Sequence, residues 1–169
     1  LLGIVITKKN MILKIVICVV AVIVLALIIN AAEDIKEVNK KRMSFKEALD
    51  LAEVPIVTFL NNGIKLNFLL DTGSSWSIIN ESVLPSLVTE KLDAVMNIVA
   101  ADGNKVPSKF CKMKVSYKDQ EFENDFAIRD LDEAFGVVKQ ESGVQIHGIL
   151  GSDFFQKYKY VLDFKELIA

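Results

Sequence analysis

Phe68-Leu69-Leu70-Asp71-Thr72-Gly73-Ser74-Ser75 is the stretch on which the reading of this chain turns. An apolar run drives straight into an acid, and a glycine stands two residues beyond it. A carboxylate at the end of a buried strand is costly unless it is hydrogen-bonded or used. Asp71 is therefore the residue to explain. Thr72 and Ser74 bring hydroxyls to the same turn, and Gly73 permits a tight backbone whose amides can face the acid. Such a setting suits a carboxylate whose protonation is under control.

Around this stretch the hydrophobic period is that of strands. Val54 to Leu60, Asn61-Asn62-Gly63 and Ile64 to Leu70 read as strand, turn, strand, with Pro55 at a strand start. Ile64, Leu66 and Phe68 alternate with Lys65 and Asn67, which predicts one buried face. Trp76 to Ile79 reads as a short strand, and Asn80 to Leu84 as a turn and short helix stopped or bent at Pro85. Val95 to Ala101, Asp102-Gly103-Asn104 and Lys105 to Lys114 predict a second hairpin, and Glu121 to Ile128 a further strand. Asp130 to Gly143 is polar and reads as a loop with a helical turn. In Gln145 to Gly151, two apolar residues between glycines fit a strand threaded close under another backbone. Ser152 to Tyr158 opens a helix with Ser152 or Asp153 as its N-cap, and Tyr160 to Phe164 closes the domain as a strand. The lone His147, beside a glycine, reads as a hydrogen-bonded structural residue.

Leu70-Asp71-Thr72-Gly73-Ser74 resembles the catalytic loop of the aspartic proteases. Gly148-Ile149-Leu150-Gly151, followed by Asp153-Phe154-Phe155, resembles that family's second signature. The order and spacing are similar to those of the retroviral-type, retropepsin-like proteases, over about residues 53 to 165. The resemblance implies a mainly β fold, a closed acid-protease β-barrel with a short C-terminal helix. It implies an aspartic endopeptidase acting on polypeptides, with no cofactor and no metal. Asp71 would be catalytic, Thr72 would hydrogen-bond across a two-fold, and Gly73 would give the turn and an amide. Ser74 would hold the outer carboxylate oxygen, and Ile149, Leu150 and Gly151 would pack behind the loop. The hairpin tip Ala101-Asp102-Gly103-Asn104 occupies the place of the family's flap. It lacks both the glycine-rich run of the viral enzymes and the tyrosine of the pepsin-like ones.

Hydrolysis of this kind needs one carboxylate to activate water and one carboxylic acid to protonate the carbonyl oxygen. The chain holds one Asp-Thr-Gly, and Asp153 and Asp163 lack the apolar-strand, glycine-turn setting. The second acid is expected from a second copy, in a homodimer with two Asp71 side chains meeting on the two-fold axis. Three other readings compete. Asp-Thr-Gly-Ser is also similar to a phosphate loop of actin-like ATPases and sugar kinases, which need two lobes and a longer chain. The domain could instead be a catalytically inactive, membrane-tethered dimerisation or peptide-binding module of the same fold. The third is a structural membrane protein in which the triplet is coincidental.

With 169 residues there is room for one ordinary domain and an appendage. Hydrophobic residues make up 51 %, and the excess lies at the N-terminus. Net charge is −2; Lys8, Lys9 and Lys14 are the charges before residue 33, leaving 17 basic and 22 acidic residues after it. No basic stripe with interleaved aromatics appears, so nucleic-acid binding has no support. Cys18 lies in the apolar run and Cys111 in the globular part, so a disulfide framework is not expected. One histidine and two separated cysteines give no basis for a zinc site.

Residues 1–11 read as a non-native leader, Met11 being the candidate natural start. Residues 12–29 are apolar but for Lys14 and, at about 1.5 Å per residue, span about 27 Å, enough for a single-pass transmembrane anchor. A buried core helix is one alternative. A cleaved signal peptide is another, but cleavage after Ala31 would put the bulky Ile29 where a small residue is wanted. The basic residues flanking the span are nearly balanced, and the domain is expected on the exported side because a short N-terminal anchor resembles an export signal. These features suggest a membrane-anchored, bacterial-type member of the family. Residues 30–52 read as a charged helical linker, with Ser44-Phe45-Lys46-Glu47 as a capping box. Its sharper reading is a pro-segment covering the site. The protease domain is assigned to residues 53–169.

Overall fold

The computed structural model describes residues 20–26, 43–99 and 103–169. The chain divides into two units, Leu1–Val38 and Asn39–Ala169. In the first, residues 20–26 are helical and exposed. They fall within the expected anchor; the rest of 12–29, the leader 1–11 and residues 30–42 of the linker lie outside the described residues. Among the described residues no helix is long and apolar enough to cross a membrane.

The second unit begins with α1 (Phe45–Ala52). Ser44 is its N-cap as read: Ser44 Oγ accepts from the Glu47 N–H at 3.2 Å. The helix is not a solvated spacer, however. Phe45, Ala48, Leu49 and Ala52 share one face at helical spacing, and Phe45 and Ala48 are fully buried. Met43, Ala48 and Ile56 form one apolar cluster with Phe135, Val144 and Ile146. The packed domain therefore starts about ten residues before the expected boundary, and burial of this face ties the helix to it.

The strands are β1 (Ile56–Asn61), β2 (Ile64–Leu70), β3 (Ile78–Asn80), β4 (Thr89–Val99), β5 (Lys105–Tyr117), β6 (Gln120–Arg129) and β7 (Gly148–Leu150). A 3-10 helix, Glu81–Ser86, follows β3; Pro85 lies inside it, and the helix ends one residue later. The sheet order is β1-β2-β7-β3-β6-β5-β4, and a β1–β5 pairing through Leu60 and Ser116 closes it into a barrel. β4 is left outside the ring, on β5. The Asn62-Gly63 turn joins β1 to β2 with both residues at positive φ, 46° and 85°, as a two-residue hairpin of this twist requires. Phe59 sits at the barrel centre, edge-on to Phe68 at 5.9 Å and to Phe154 at 6.0 Å.

Three segments differ from the sequence reading. Asp132–Ser142 is a regular helix, α2, rather than a loop with one turn. Two acids open it, Phe135 is buried beneath it, and Gly143 at φ 74° closes it. β4 begins six residues before Val95 and is almost wholly exposed, with a bulge between Leu92 and Val95. The C-terminal residues 160–164 form no strand. Asp163 accepts from the Lys165 and Glu166 amides at 2.9 Å, and Leu167 adopts φ 55°, so the segment folds into a turn closed by one Asp163–Ile168 bridge. The short C-terminal helix, α3 (Ser152–Tyr158), is present as expected.

Candidate active site

β2 delivers Asp71 to the end of the barrel. Its last residues pair in parallel with β7, Leu70 opposite Leu150, and the Asp71 N–H donates to Leu150 O at 3.0 Å. β7 in turn pairs antiparallel with β3, Ile149 opposite Ile78. One three-residue strand thus wedges between the two segments that flank the Asp71 loop.

Two close approaches make this possible. A Cβ on Gly148 would lie 2.5 Å from the Ile78 carbonyl oxygen and 2.7 Å from the Phe68 ring. A Cβ on Gly151 would lie 2.6 Å from the Trp76 carbonyl and 2.9 Å from Ser74 O. Only glycine allows backbone to thread this closely. Leu150 is buried between them and packs behind the loop, while Ile149 also borders the cavity in front of it.

The loop itself is held mainly by its backbone. The Gly73 N–H donates to Asp71 Oδ1 at 2.8 Å, and the Ser74 N–H donates to Asp71 O at 3.2 Å. Ser74 O accepts from both the N–H and the hydroxyl of Ser152, each at 2.8 Å. The Ser74 hydroxyl donates to Trp76 O at 2.7 Å; within this chain it braces the loop rather than holding the outer carboxylate oxygen. Thr72 is exposed, and its hydroxyl has no hydrogen-bond partner within the described residues.

Beneath the loop lies a polar knot that the sequence reading missed. Ser77 is fully buried; its hydroxyl donates to Asp153 Oδ1 at 2.8 Å and accepts from the Gly151 N–H and Asn124 Nδ2, both at 3.1 Å. Asn124 Nδ2 also donates to Asp153 Oδ2 at 2.9 Å. Asp153 is thus committed behind the site, and Asp163 caps its own turn.

His147 stands nearby as a structural residue. Its Nδ1 accepts from the Asn67 N–H at 2.9 Å, and its own N–H returns a bond to Asn67 O at 2.9 Å. Burial pushes its pKa down to about 4, so the ring is neutral near pH 7 and Nδ1 can accept.

Asp71 opens onto a cavity of ≈ 550 Å³. Trp76, Ile78, Leu131 and Ile149 give it apolar walls, and Asn97, Ile98 and Val99 of β4 border it from the hairpin side. The hairpin expected to act as a flap therefore borders the Asp71 cavity through Asn97, Ile98 and Val99. Of the tip, Gly103 and Asn104 are described, and Ala101 and Asp102 lie outside the described residues. Among the described residues that line the cavity, Asp71 is the only carboxylate and Arg129 the only cation. Among the described residues no group of three or more His, Cys, Asp or Glu side chains is placed to hold a metal ion. Trp76, Asn97 and Arg129 were not singled out as site residues in the sequence; Trp76 follows the Asp71 loop, while Asn97 on β4 and Arg129 on β6 come from strands separated by β5.

No curated protein matches the chain. Among solved structures it is similar to the EIAV protease complexed with the inhibitor HBY-793, at 21 % identity and a TM-score of 0.50, covering 68 % of this chain and 97 % of that one. It also matches the retroviral protease-like domain of Ddi1 from Leishmania major, at 14 % identity and a TM-score of 0.43, over 65 % of this chain and 78 % of that one. The first likeness supports the closed retropepsin-like barrel. The family model for aspartyl proteases matches residues 56–154, from β1 to the start of α3. That span exceeds half of the chain and includes both Asp71 and the Gly148–Gly151 strand, and the chain belongs to the aspartyl protease family.

Proposed function

We propose that the chain is one half of an aspartic endopeptidase, completed by a second copy of itself. The observation that carries this is that Asp71 is the single carboxylate among the described residues of the cavity, set on a loop whose tip, Thr72-Gly73, is exposed. Two such loops meeting about a two-fold axis would bring two Asp71 carboxyls together. Like charges at that distance share one proton, so the pair holds one carboxylate and one carboxylic acid and titrates as a pair. The carboxylate takes a proton from water, whose oxygen attacks the scissile carbonyl carbon. The acid gives its proton to the carbonyl oxygen. Collapse of the resulting diol breaks the C–N bond, and the departing nitrogen receives a proton from the dyad.

In that pair Thr72 would find its partner across the axis, and the Gly73 amide would hold the carboxylate orientation already present in one chain. Ser74, Ile149, Leu150 and Gly151 would keep the loop in place from behind. The β4–β5 hairpin, tipped by Ala101 to Asn104, would cover an extended polypeptide lying over Asp71. Residues 12–29 would anchor each copy in a membrane with the domain on the exported side. Confinement to a surface would raise the effective concentration for pairing.

The test is hydrolysis of a diverse peptide mixture between pH 4 and pH 7 by the protein and by Asp71→Asn, with solution mass measured in parallel. Cleavage that rises more than linearly with protein concentration and vanishes in the variant is expected. Equal cleavage by Asp71→Asn removes Asp71 from the chemistry. A clean dimer that binds peptides without cutting them would make the domain a binding module.

A further inference from the structure

We infer that Arg129 selects substrates carrying an acidic side chain close to the scissile bond, an inference that rests on the Asp71 cavity being the substrate cleft. Arg129 ends β6, two residues after Ala127. Alternate residues of a strand share a face. Ala127 lies in the apolar cluster of Ile98 and Phe110, against which Trp76 and Ile78 pack, so Arg129 is on the cleft side, and it borders the cavity that holds Asp71. It is the only arginine among the described residues.

Its guanidinium is half-buried and under-used. One nitrogen donates to Ser108 Oγ across 3.5 Å, a long bond, and no carboxylate of the described residues lies within 4.0 Å of it. The nearby Asp132 is taken: its Oδ1 accepts from Asn80 Nδ2 at 2.7 Å and Ser82 Oγ at 2.8 Å. A guanidinium offers five N–H donors in a planar fork that matches a carboxylate, and such a pair gains strength as water leaves the cleft. Among the described residues the rest of the cavity lining is apolar or neutral, with Ser74, Ser75 and Asn97 its polar members, and its one carboxylate is Asp71. The chemistry that satisfies this group is a Glu or Asp side chain of the bound polypeptide, flanked by apolar residues that fit Trp76, Ile98 and Ile149.

The experiment uses the full chain in a mild detergent. Blocked octapeptides of Ala, Val and Phe carry a single Glu stepped through the eight positions, each beside its Gln counterpart. Two readouts run together: kcat/KM with the unaltered protein, and fluorescence-anisotropy binding with Asp71→Asn. At one or two positions Glu is expected to exceed Gln by about ten- to a hundredfold in both. Arg129→Gln should bring that ratio to about one, and Arg129→Glu should favour Lys at the same position instead. Glu-selective binding without any cleavage would keep this inference and remove the catalytic reading. Cleavage with equal Glu and Gln values, or a Glu preference that survives Arg129→Gln, would overturn the inference and leave the catalytic reading standing. No cleavage and no selective binding would overturn both. Loss of the dimer in Arg129→Gln by sedimentation, with Glu selectivity absent from the unaltered protein, would assign the residue to the subunit contact instead.

Discussion

Replacing Gly151 by alanine tests whether close threading of β7 sets the position of the Asp71 loop. The added methyl would stand 2.6 Å from both atoms of the Trp76 carbonyl and 2.9 Å from Ser74 O. Carbon atoms in good contact sit at about 3.5–4.0 Å, so the Ser74–Trp76 backbone must retreat by roughly 1 Å. Neither neighbour is a side-chain end that can swing away. Overpacking of this kind costs about 1–3 kcal/mol. The retreat also loosens Ser74 O from the two Ser152 donors that hold it at 2.8 Å, adding about 1 kcal/mol. A loss of about 3 kcal/mol should lower the thermal midpoint by about 10 °C for a domain of this size. Gly136 is the control. It lies inside α2 with nothing within 4 Å of its would-be Cβ. Gly136→Ala should stabilise by about 1 kcal/mol, because alanine is the better helix former. Thermal unfolding followed by circular dichroism measures both. A Gly151→Ala midpoint indistinguishable from that of the unaltered protein would refute the reasoning, because the methyl would then have found room that the structure denies it.

Ser77→Ala should cost about 1–3 kcal/mol, since it strips a partner from the buried Gly151 N–H and from Asp153, and urea unfolding measures it; a change below a few tenths would mean that the knot is not a support. Protonation of His147 gives a pH dependence of known sign. Its folded pKa of about 4 lies below the ordinary 6.5, so the unfolded chain binds the extra proton between these values and stability falls as pH drops from 6.5 toward 4. The full contribution is about 3 kcal/mol, present above pH 6.5 and lost by pH 4. Urea midpoints at pH 7, 5.5 and 4.5, compared with those of His147→Gln, should show a shallower slope in the variant; equal slopes would remove His147 as the cause.

The parts of this fold that could be read in advance are those where local chemistry and tertiary packing agree. Leu66 and Phe68 are buried as read, but Asn67 between them is buried too, bonded to Thr58, His147 and Gln145, so β2 is covered on both faces there; Asn62-Gly63 turns because both residues accept positive φ. Gly148 and Gly151 announced a close approach, and the neighbouring backbones are there. The misses have separate causes. Thr89 to Ala94 is exposed on both faces, so it carries no period to detect. In α2 the acids at 132 and 133 and the stop at Gly143 were legible, but polar residues diluted an apolar face reduced to Leu131, Phe135 and Val138. Tyr160, Leu162 and Phe164 alternate like a strand, yet Tyr160 is claimed by the rings of Phe154 at 5.4 Å and Phe59 at 6.4 Å, and Asp163 caps a turn instead. Arg129 reached the cleft through the parallel pairing of β6 with β3, where it stands opposite Asn80, and no local pattern encodes that pairing.

The site is rigid behind and bare in front, and this asymmetry bears on how activity would be controlled. Leu150 O, the Ser152 amide and hydroxyl, and the Gly151–Ser77 bond fix the loop within a single chain. In front, the Asp71 side chain has one amide donor, and Thr72 has no side-chain partner. A loop already ordered loses little further freedom on meeting a second copy, so in the proposed pair most of the contact energy remains available for association. A weak two-fold contact would then suffice, and the lone carboxylate of an isolated chain would have no acid to share a proton with. Activity would follow the square of the local concentration at low occupancy, and the proposed anchoring would raise it without any change in the fold of either half. Covalent linkage of two copies should therefore abolish the concentration dependence of cleavage, while linkage of one copy to Asp71→Asn should leave a pair that assembles and does not cut.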